Sequence, residues 1–163
     1  MDLVSLFNSE FEEHAVVVEA THASLREPFE RLVGHAAECI REGGKILFFG
    51  NGGSAADCQH LATELTIRYV SDRDPIAAIA LTTDTSAITA GGNDIGFDNI
   101  FSRQVEALVK PGDLALGIST SGNSENVVRA LKQARDMGAI AAGFGGNNGG
   151  AMAEVADPYL VVP

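Results

Sequence analysis

The hydrophobic and polar positions change their pattern near residue 43, and this change divides the sequence into two parts. The first part holds two amphipathic stretches, at residues 2–22 and 26–42, whose apolar residues recur at near-helical spacing, so both are predicted to be helices. The pair Gly43-Gly44 ends the second stretch. The second part holds five short runs that are almost continuously apolar, at 45–50, 76–81, 114–119, 139–144 and 159–162. Such runs are typical of strands that are covered on both faces of a parallel sheet.

The segments between the apolar runs predict helices near 54–69, 84–91, 98–109, 123–137 and 149–156. Strands that alternate with helices over such lengths form right-handed β-α-β units. We therefore expect an α/β fold, namely a three-layer sandwich whose five-stranded parallel sheet is flanked by helices and preceded by the N-terminal helices. Ligands bind such sheets beyond the carboxyl ends of the strands.

Composition and charge narrow the class of protein. With 163 residues the chain suits one domain, so we expect residues 1–163 to form a single domain with an α/β core at 43–163. The net charge of −11 disfavours nucleic acid and membrane surfaces as partners, and no apolar run approaches the ~20 residues of a membrane span. Cys39 and Cys58 lack the spacing of a metal or redox motif, which favours a soluble protein in the reducing cytoplasm.

The third apolar run leads directly into a cluster of hydroxyl side chains. Residues 119–124 read STSGNS, and a predicted helix follows. The N–H groups at the start of a helix and its positive dipole end attract anions, and neutral hydroxyl donors at the same place suit a phosphate ester that must leave again. The hydroxyl groups of this predicted phosphate cradle belong to Ser119, Thr120, Ser121 and Ser124.

A glycine-rich loop, GNGGS at residues 50–54, follows the first apolar run. It contains Asn51, Gly52, Gly53 and Ser54, and Ser54 is predicted to cap the next helix. The loop alone is equally well explained as a tight strand-to-helix turn. Because neither it nor the cradle has the lysine of a P-loop or a dinucleotide-binding glycine pattern, we expect no nucleotide cofactor. The FGGNNGG segment at 144–150 is interpreted as a turn.

The helix after GNGGS presents Asp57, His60 and Glu64 on one face. The spacing of His60 and Glu64 suits two metal ligands or an acid–base pair, although a lone histidine on a helix is more often a packed or surface residue. Glu64 lies ten residues after Ser54, which is ~15 Å along the helix. This distance indicates that Glu64 acts on the far end of an extended ligand or on a ligand held by another copy of the chain.

A third polar patch, TAGGNDIGF at 89–97, contains Asn93 and Asp94. These two side chains suit the recognition of sugar hydroxyls. The alternative is that the patch is a turn leading to the next helix, capped by Asp98.

Taken in order, these stretches resemble the sugar isomerase (SIS) domain family and, within it, the phosphoheptose isomerases. The resemblance rests on GNGGSAADCQHLATEL, ALTTDTSAITAGGND, FSRQVEAL and GDLALGISTSGNSENV, which cover most of residues 45–130. The combination of GNGGSxxDxxHxxxEL with STSGNS is specific, whereas STSGNS alone is common to SIS domains, in which it binds a phosphosugar.

The resemblance implies interconversion of sedoheptulose 7-phosphate and D-glycero-D-manno-heptose 7-phosphate through an enediol, an early step toward the heptose of lipopolysaccharide. It implies that Glu64 is the general base, that His60 shares its catalytic site, and that the two side chains bind zinc. It further implies a homotetramer with active sites between subunits, in which residues 1–42 serve oligomer packing. The positions that match substrate-contacting residues are Asn51, Gly52, Gly53, Ser54, Glu64, Asn93, Asp94, Ser119, Thr120, Ser121 and Ser124.

The sequence departs from the family pattern at its end. Family members continue into a C-terminal helix that supplies a glutamine and a second catalytic histidine, whereas this sequence stops at Val162-Pro163. We expect a complete chain to continue beyond this point. Two other functions stay open: a non-catalytic SIS protein, either a replication-initiator adaptor or a sugar-phosphate sensor, and an isomerase of shorter sugar phosphates. Retention of both His60 and Glu64 favours the enzyme.

Overall fold

The computed structural model describes residues 2–163 and consists of helices and strands that alternate after the first two helices. The five strands are β1 (Ile46–Gly50), β2 (Ala78–Ala80), β3 (Leu114–Ser119), β4 (Ile140–Gly146) and β5 (Tyr159–Val162). The six α-helices are α1 (Leu3–Ser24), α2 (Arg26–Arg41), α3 (Gly53–Thr66), α4 (Thr85–Asp94), α5 (Ile100–Leu108) and α6 (Glu125–Asp136). Short 3₁₀ turns occupy Phe97–Asn99 and Gly150–Glu154. This order confirms the predicted α/β class.

The five strands form one parallel sheet in the order β2-β1-β3-β4-β5. The chain moves from β1 to β2 in one direction and then returns to β3 on the other side of β1. Every residue of β1 and β3 is buried, because helices cover both faces of these central strands. The continuous apolar runs of the sequence therefore predicted their burial correctly.

Two hydrophobic clusters, one on each face of the sheet, form the core. On one face, Phe49 of β1 packs with Phe101 of α5 at 5.8 Å between ring centroids, and Leu131 of α6 joins the same cluster. On the other face, Phe48 packs with side chains of α2 and α3, including Cys58. The helices thus form two outer layers around the sheet, as expected of a three-layer sandwich.

Helix α1 differs from the other long helices because none of its residues is buried. It carries several exposed apolar side chains, among them Phe7 and Phe11, whose rings lie 4.7 Å apart. Its few contacts within the chain are with α2 and β5. None of the helices in residues 2–163 has the length and hydropathy needed to cross a membrane.

An ion pair joins β1 to β3 at the amino ends of both strands. Lys45 Nζ donates to Asp113 Oδ2 at 2.6 Å, and the backbone N–H groups of Lys45 and Lys110 also donate to this carboxylate. Burial of Asp113 opposes its ionisation, but these three hydrogen bonds outweigh burial and hold the pKa of the carboxyl below its usual value. Removal of the carboxylate would leave donors unpaired.

The structure corrects several details of the prediction. Helix α4 extends to Asp94, so the alternative interpretation of residues 89–97 as a turn is wrong for residues 89–94. Asp98 lies inside a 3₁₀ turn and does not cap α5, whose N-cap residue is Asn99. The helix predicted at 149–156 is a short 3₁₀ turn, and α3 ends at Thr66, three residues before the predicted end. Except for the end of α3, these errors fall in or beside glycine-rich segments, where hydrophobic periodicity is weak.

Candidate functional site

The reversal of strand order places a crevice between β1 and β3 at the carboxyl edge of the sheet. In parallel α/β sheets, this switch point is where ligands bind, because the loops after the two strands diverge to opposite faces. Here the loop after β1 is GNGGS, and the loop after β3 is STSGNS. The two motifs that were singled out in the sequence therefore meet at the expected ligand position.

Two hydroxyls of the cradle are held together at the start of α6. Ser119 Oγ, at the end of β3, lies 3.0 Å from Oγ of Ser124, the N-cap residue of α6. The Ser124 side chain makes no capping bond to the helix, so the N–H groups of the first turn keep their capacity to bind an anion. Ser121 is exposed, and its Oγ accepts a hydrogen bond from the backbone N–H of Asn123 at 3.2 Å. The arrangement offers hydroxyl and backbone donors without any formal charge.

The end of β4 and the loop after it are hydrogen-bonded to the cradle. The N–H of Met152 donates to the Gly122 carbonyl at 2.9 Å, and the N–H of Gly146 donates to the Thr120 carbonyl at 3.0 Å. Asn123 Oδ1 accepts from the N–H of Ala151 at 3.0 Å. The FGGNNGG segment, interpreted in the sequence as a simple turn, and the two residues after it therefore fix the position of STSGNS. Only the spacing of its glycines hinted at this close approach.

Gly122 and Gly149 show why these loops are rich in glycine. Gly122 has φ +66°, and a Cβ atom on it would collide with the carbonyl oxygen of Gly149. Tyr159 of β5 donates its hydroxyl to that same carbonyl at 2.7 Å. The two loops consequently approach to a distance that no larger residue permits at position 122.

The loop after β1 turns tightly into α3. Gly52, the N-cap residue, has φ +56°, and Gly53 is the first residue of the helix. Ser54 is the second helical residue, so the prediction that it caps α3 was wrong. Gly50 explains the tightness of the turn, because a Cβ there would lie 2.8 Å from the Ile118 carbonyl oxygen.

Asn51 is tied to α6 by a reciprocal pair of amide hydrogen bonds. Asn51 Nδ2 donates to Asn126 Oδ1 at 2.9 Å, and Asn126 Nδ2 donates to Asn51 Oδ1 at 2.9 Å. This pair bridges the crevice between the two candidate loops. Asn126 was not among the site residues expected from the sequence, since nothing local to its position indicates a partner 75 residues away.

Glu64 lies at the opposite end of its helix from the cradle. Helix α3 starts at the carboxyl edge of the sheet and ends near the amino edge, where the Leu65 carbonyl accepts from the N–H of Ile76, just before β2. Glu64 is therefore ~16 Å along the helix from Gly53. Within a single chain, the structure therefore does not bring this carboxylate to the cradle.

His60 and Glu64 lie side by side on α3, with His60 exposed and Glu64 partly buried. His60 Nε2 lies 3.8 Å from Glu64 Oε1, and the two side chains are 72% and 28% exposed, respectively. Two ligand atoms of a tetrahedral zinc are separated by about 3.3 Å, which a small side-chain rotation reaches from here. Within residues 2–163, no third His, Cys, Asp or Glu joins the pair to form a metal-binding group. The pair fits half of a zinc coordination shell.

Asn93 and Asp94 lie in the last turn of α4 and are exposed. Asn93 Nδ2 donates to Asp94 Oδ1 at 2.7 Å. Among the residues that the structure describes, no side-chain hydrogen bond connects either of them to the GNGGS or STSGNS loop. Their contact with substrate stays a prediction.

The two cysteines do not contribute to the site. Both Cys39 and Cys58 are buried and unpaired. Burial raises the pKa of the Cys58 thiol to about 12, with the nearby charge of Asp57 adding to the shift. At neutral pH this thiol is protonated and is a poor nucleophile.

Comparison with known proteins gives a consistent result. The SIS domain family matches residues 11–146. A protein named phosphoheptose isomerase from Paramagnetospirillum magneticum is 56% identical over 163 residues, which is all of this chain and 85% of that protein.

Solved structures agree with the sequence matches. The phosphoheptose isomerase of Neisseria gonorrhoeae superposes with a TM-score of 0.89 at 43% identity, covering 99% of this chain and 86% of that one. The phosphoheptose isomerase of Francisella tularensis superposes with a TM-score of 0.95 at 36% identity, covering 100% and 87%, respectively.

Proposed function

The chain belongs to the SIS domain family, among the phosphoheptose isomerases, and from this premise we propose how its residues carry out the reaction. The activity is an aldose–ketose isomerisation of sedoheptulose 7-phosphate. The product is D-glycero-D-manno-heptose 7-phosphate, and the intermediate is an enediol. The observation that carries the proposal is the meeting of the GNGGS and STSGNS loops at the switch point of the sheet.

The cradle binds the phosphate group of the substrate. Ser119, Thr120, Ser121 and Ser124 supply hydroxyl donors, and the first turn of α6 supplies N–H groups and a positive dipole end. Asn51, Gly52, Gly53 and Ser54 form the opposite wall of the crevice, while Asn93 and Asp94 contact sugar hydroxyls. Anchoring the phosphate fixes the distant reacting carbons and so removes much of the entropy cost of the reaction.

Glu64 is the base that moves the proton. Its carboxylate takes a proton from C1 of the ketose and returns it to C2, while a second proton passes between the two oxygens. Because ~16 Å of helix separates Glu64 from the cradle of its own subunit, Glu64 acts in the site of a neighbouring subunit. This supports a homotetramer with shared active sites, packed through residues 1–42, whose helix α1 exposes apolar side chains.

His60 and Glu64 would hold a zinc ion together with ligands that one copy of residues 2–163 does not bring to this pair. Bound there, zinc would stabilise negative charge that develops on the substrate oxygens. His60 itself lies one helical turn before Glu64 and can orient the carboxylate through the 3.8 Å contact.

The same observations support the proposed domain limits and cellular location. Residues 43–163 form the α/β core, and residues 1–42 form the helical part of one SIS domain. The two unpaired, buried cysteines favour the reducing cytoplasm. The pair His60 and Glu64 argues against a purely structural adaptor, since an adaptor has no use for an exposed acid–base pair.

The proposal is tested by incubating the purified protein with sedoheptulose 7-phosphate in heavy water and following the aldose by NMR. We expect the aldose to form. It should carry deuterium at C2 in those turnovers in which the protonated base exchanges its proton for solvent deuterium. Glu64→Gln should lower kcat by about 10²- to 10⁴-fold, while substrate binding persists. Glu106→Gln is the matched control, because Glu106 is exposed and forms only a surface ion pair with Arg103. An unchanged kcat in Glu64→Gln would overturn the base assignment.

A further inference from the structure

We infer that Asn126 is a positioning residue, which holds the Asn51 amide in the orientation required by the bound phosphosugar. The inference rests on the proposed function, because Asn51 is one of the proposed substrate contacts. Asn126 touches no substrate in this account. It acts through the reciprocal amide pair that it forms with Asn51 across the crevice.

The burial of the two side chains assigns their roles. Asn126 is only 2% exposed, whereas Asn51 is half-buried. Each amide has two N–H donors and an oxygen with two lone pairs, and the pair uses one donor and one lone pair of each. The remaining donor and lone pair of Asn51 are therefore the ones that a ligand in the crevice can reach.

The pair also fixes the Asn51 side chain against rotation. An isolated asparagine amide can exchange its oxygen and nitrogen by turning about its last torsion, at low cost. Two simultaneous bonds of 2.9 Å prevent Asn51 from turning alone, because a single turned amide would place donor against donor and acceptor against acceptor. Since Asn126 is only 2% exposed, the Asn51 amide can turn only together with a buried partner, and Asn126 thereby restrains the orientation that Asn51 presents to the substrate.

The amide pair lies between the two loops that form the candidate site. Asn51 directly follows β1 and precedes α3, while Asn126 lies in the first turn of α6, beside the hydroxyl cradle. One amide pair thus connects the start of the helix that carries Glu64 to the start of the helix that binds phosphate. Loss of the pair through a change at Asn126 would loosen the alignment of the two loops, while every side chain of the GNGGS and STSGNS loops would remain.

The test is a double-mutant cycle on the full chain with Asn51→Ala, Asn126→Ala and the double variant. For each protein, kcat and KM for sedoheptulose 7-phosphate and the free energy of unfolding are measured. We expect Asn126→Ala to lower kcat/KM by about 10- to 100-fold, as misplacement of a positioned group does. In the Asn51→Ala background the same change should lower kcat/KM by less than about twofold, since the residue it positions is gone.

Asn99→Ala is the matched control for the loss of a half-buried amide. Asn99 accepts from Arg129 Nη1 at 2.9 Å and donates to the Ile95 carbonyl at 2.6 Å, and this account gives it no part in binding. It should lose stability with kcat/KM within about twofold of wild type. Equal, additive losses of kcat/KM from Asn126→Ala in both backgrounds would overturn the inference, and so would an unchanged value in the single variant. A wild-type protein that produces no aldose would instead overturn the proposed function itself.

Discussion

Replacing Gly122 by alanine should lower both the stability of the protein and its affinity for the phosphorylated substrate. Gly122 has φ +66°, and an added Cβ would collide with the Gly149 carbonyl oxygen, which also accepts the Tyr159 hydroxyl. The Gly122 carbonyl in turn accepts from the N–H of Met152 at 2.9 Å. The methyl group must therefore push apart the cradle and the loop that supports it.

The expected loss of unfolding free energy in Gly122→Ala has two parts. An alanine at a left-handed φ costs about 1–2 kcal/mol, wherever it lies. Relief of the collision adds about 1–3 kcal/mol, the usual cost of forcing extra volume into a packed region. Gly122→Ala should therefore lower the free energy of unfolding by about 2–5 kcal/mol in total.

Gly43→Ala is the control that isolates the collision. Gly43 has φ +79°, and nothing lies within 4 Å of an added Cβ, so only the backbone cost applies. Urea unfolding of both variants should show the larger loss for Gly122→Ala, and enzyme kinetics should show a raised KM for that variant alone. Equal stabilities of the two variants, with a wild-type KM in each, would refute the packing of the two loops described above.

Three further outcomes are expected. Ser121→Ala should raise KM for the phosphorylated sugar by about tenfold, the effect of losing one hydrogen bond of about 1.4 kcal/mol to a charged group; a KM equal to that of wild type would count against the cradle. Because the folded-state pKa of Asp113 lies below its unfolded value, its contribution to stability is complete above the unfolded pKa of about 3.9 and is lost as the pH falls through the folded-state pKa. Urea unfolding from pH 7 to pH 3 should therefore show a weaker dependence on pH for Asp113→Asn than for wild type, and parallel curves would contradict the role of the Lys45 ion pair. Treatment with a chelator should lower kcat, and zinc should restore it in wild type but not in His60→Ala; full activity after the chelator would exclude an essential metal at His60 and Glu64.

The sequence predicted the elements whose apolar residues are continuous or regularly spaced. The central strands were identified because burial on both faces leaves no polar residue in β1 and only the final residue, Ser119, in β3. The cradle was identified because Ser119, Ser121 and Ser124 are neighbours in sequence. Each of these features depends on local order along the chain, which is what a sequence displays directly.

The contacts that the sequence did not reveal join residues that are far apart in the chain. Asn51 and Asn126 lie 75 residues apart and become partners only because β3 returns beside β1. Likewise, the support of Gly122 by the loop after β4 depends on the order of strands. Ser54 was wrongly predicted as the cap of α3 because the N-cap is Gly52, with φ +56°, two residues earlier.

The central claim, that base and cradle of one active site come from different subunits, is tested by mixing two inactive variants. One carries Glu64→Gln and keeps its cradle, while the other carries Ser121→Glu, whose carboxylate repels phosphate, and keeps its base. After the two are unfolded together and refolded in equal amounts, about a quarter of the shared sites should contain both intact parts, so activity should rise to about that fraction of wild type. A mixture no more active than either variant alone would contradict the claim.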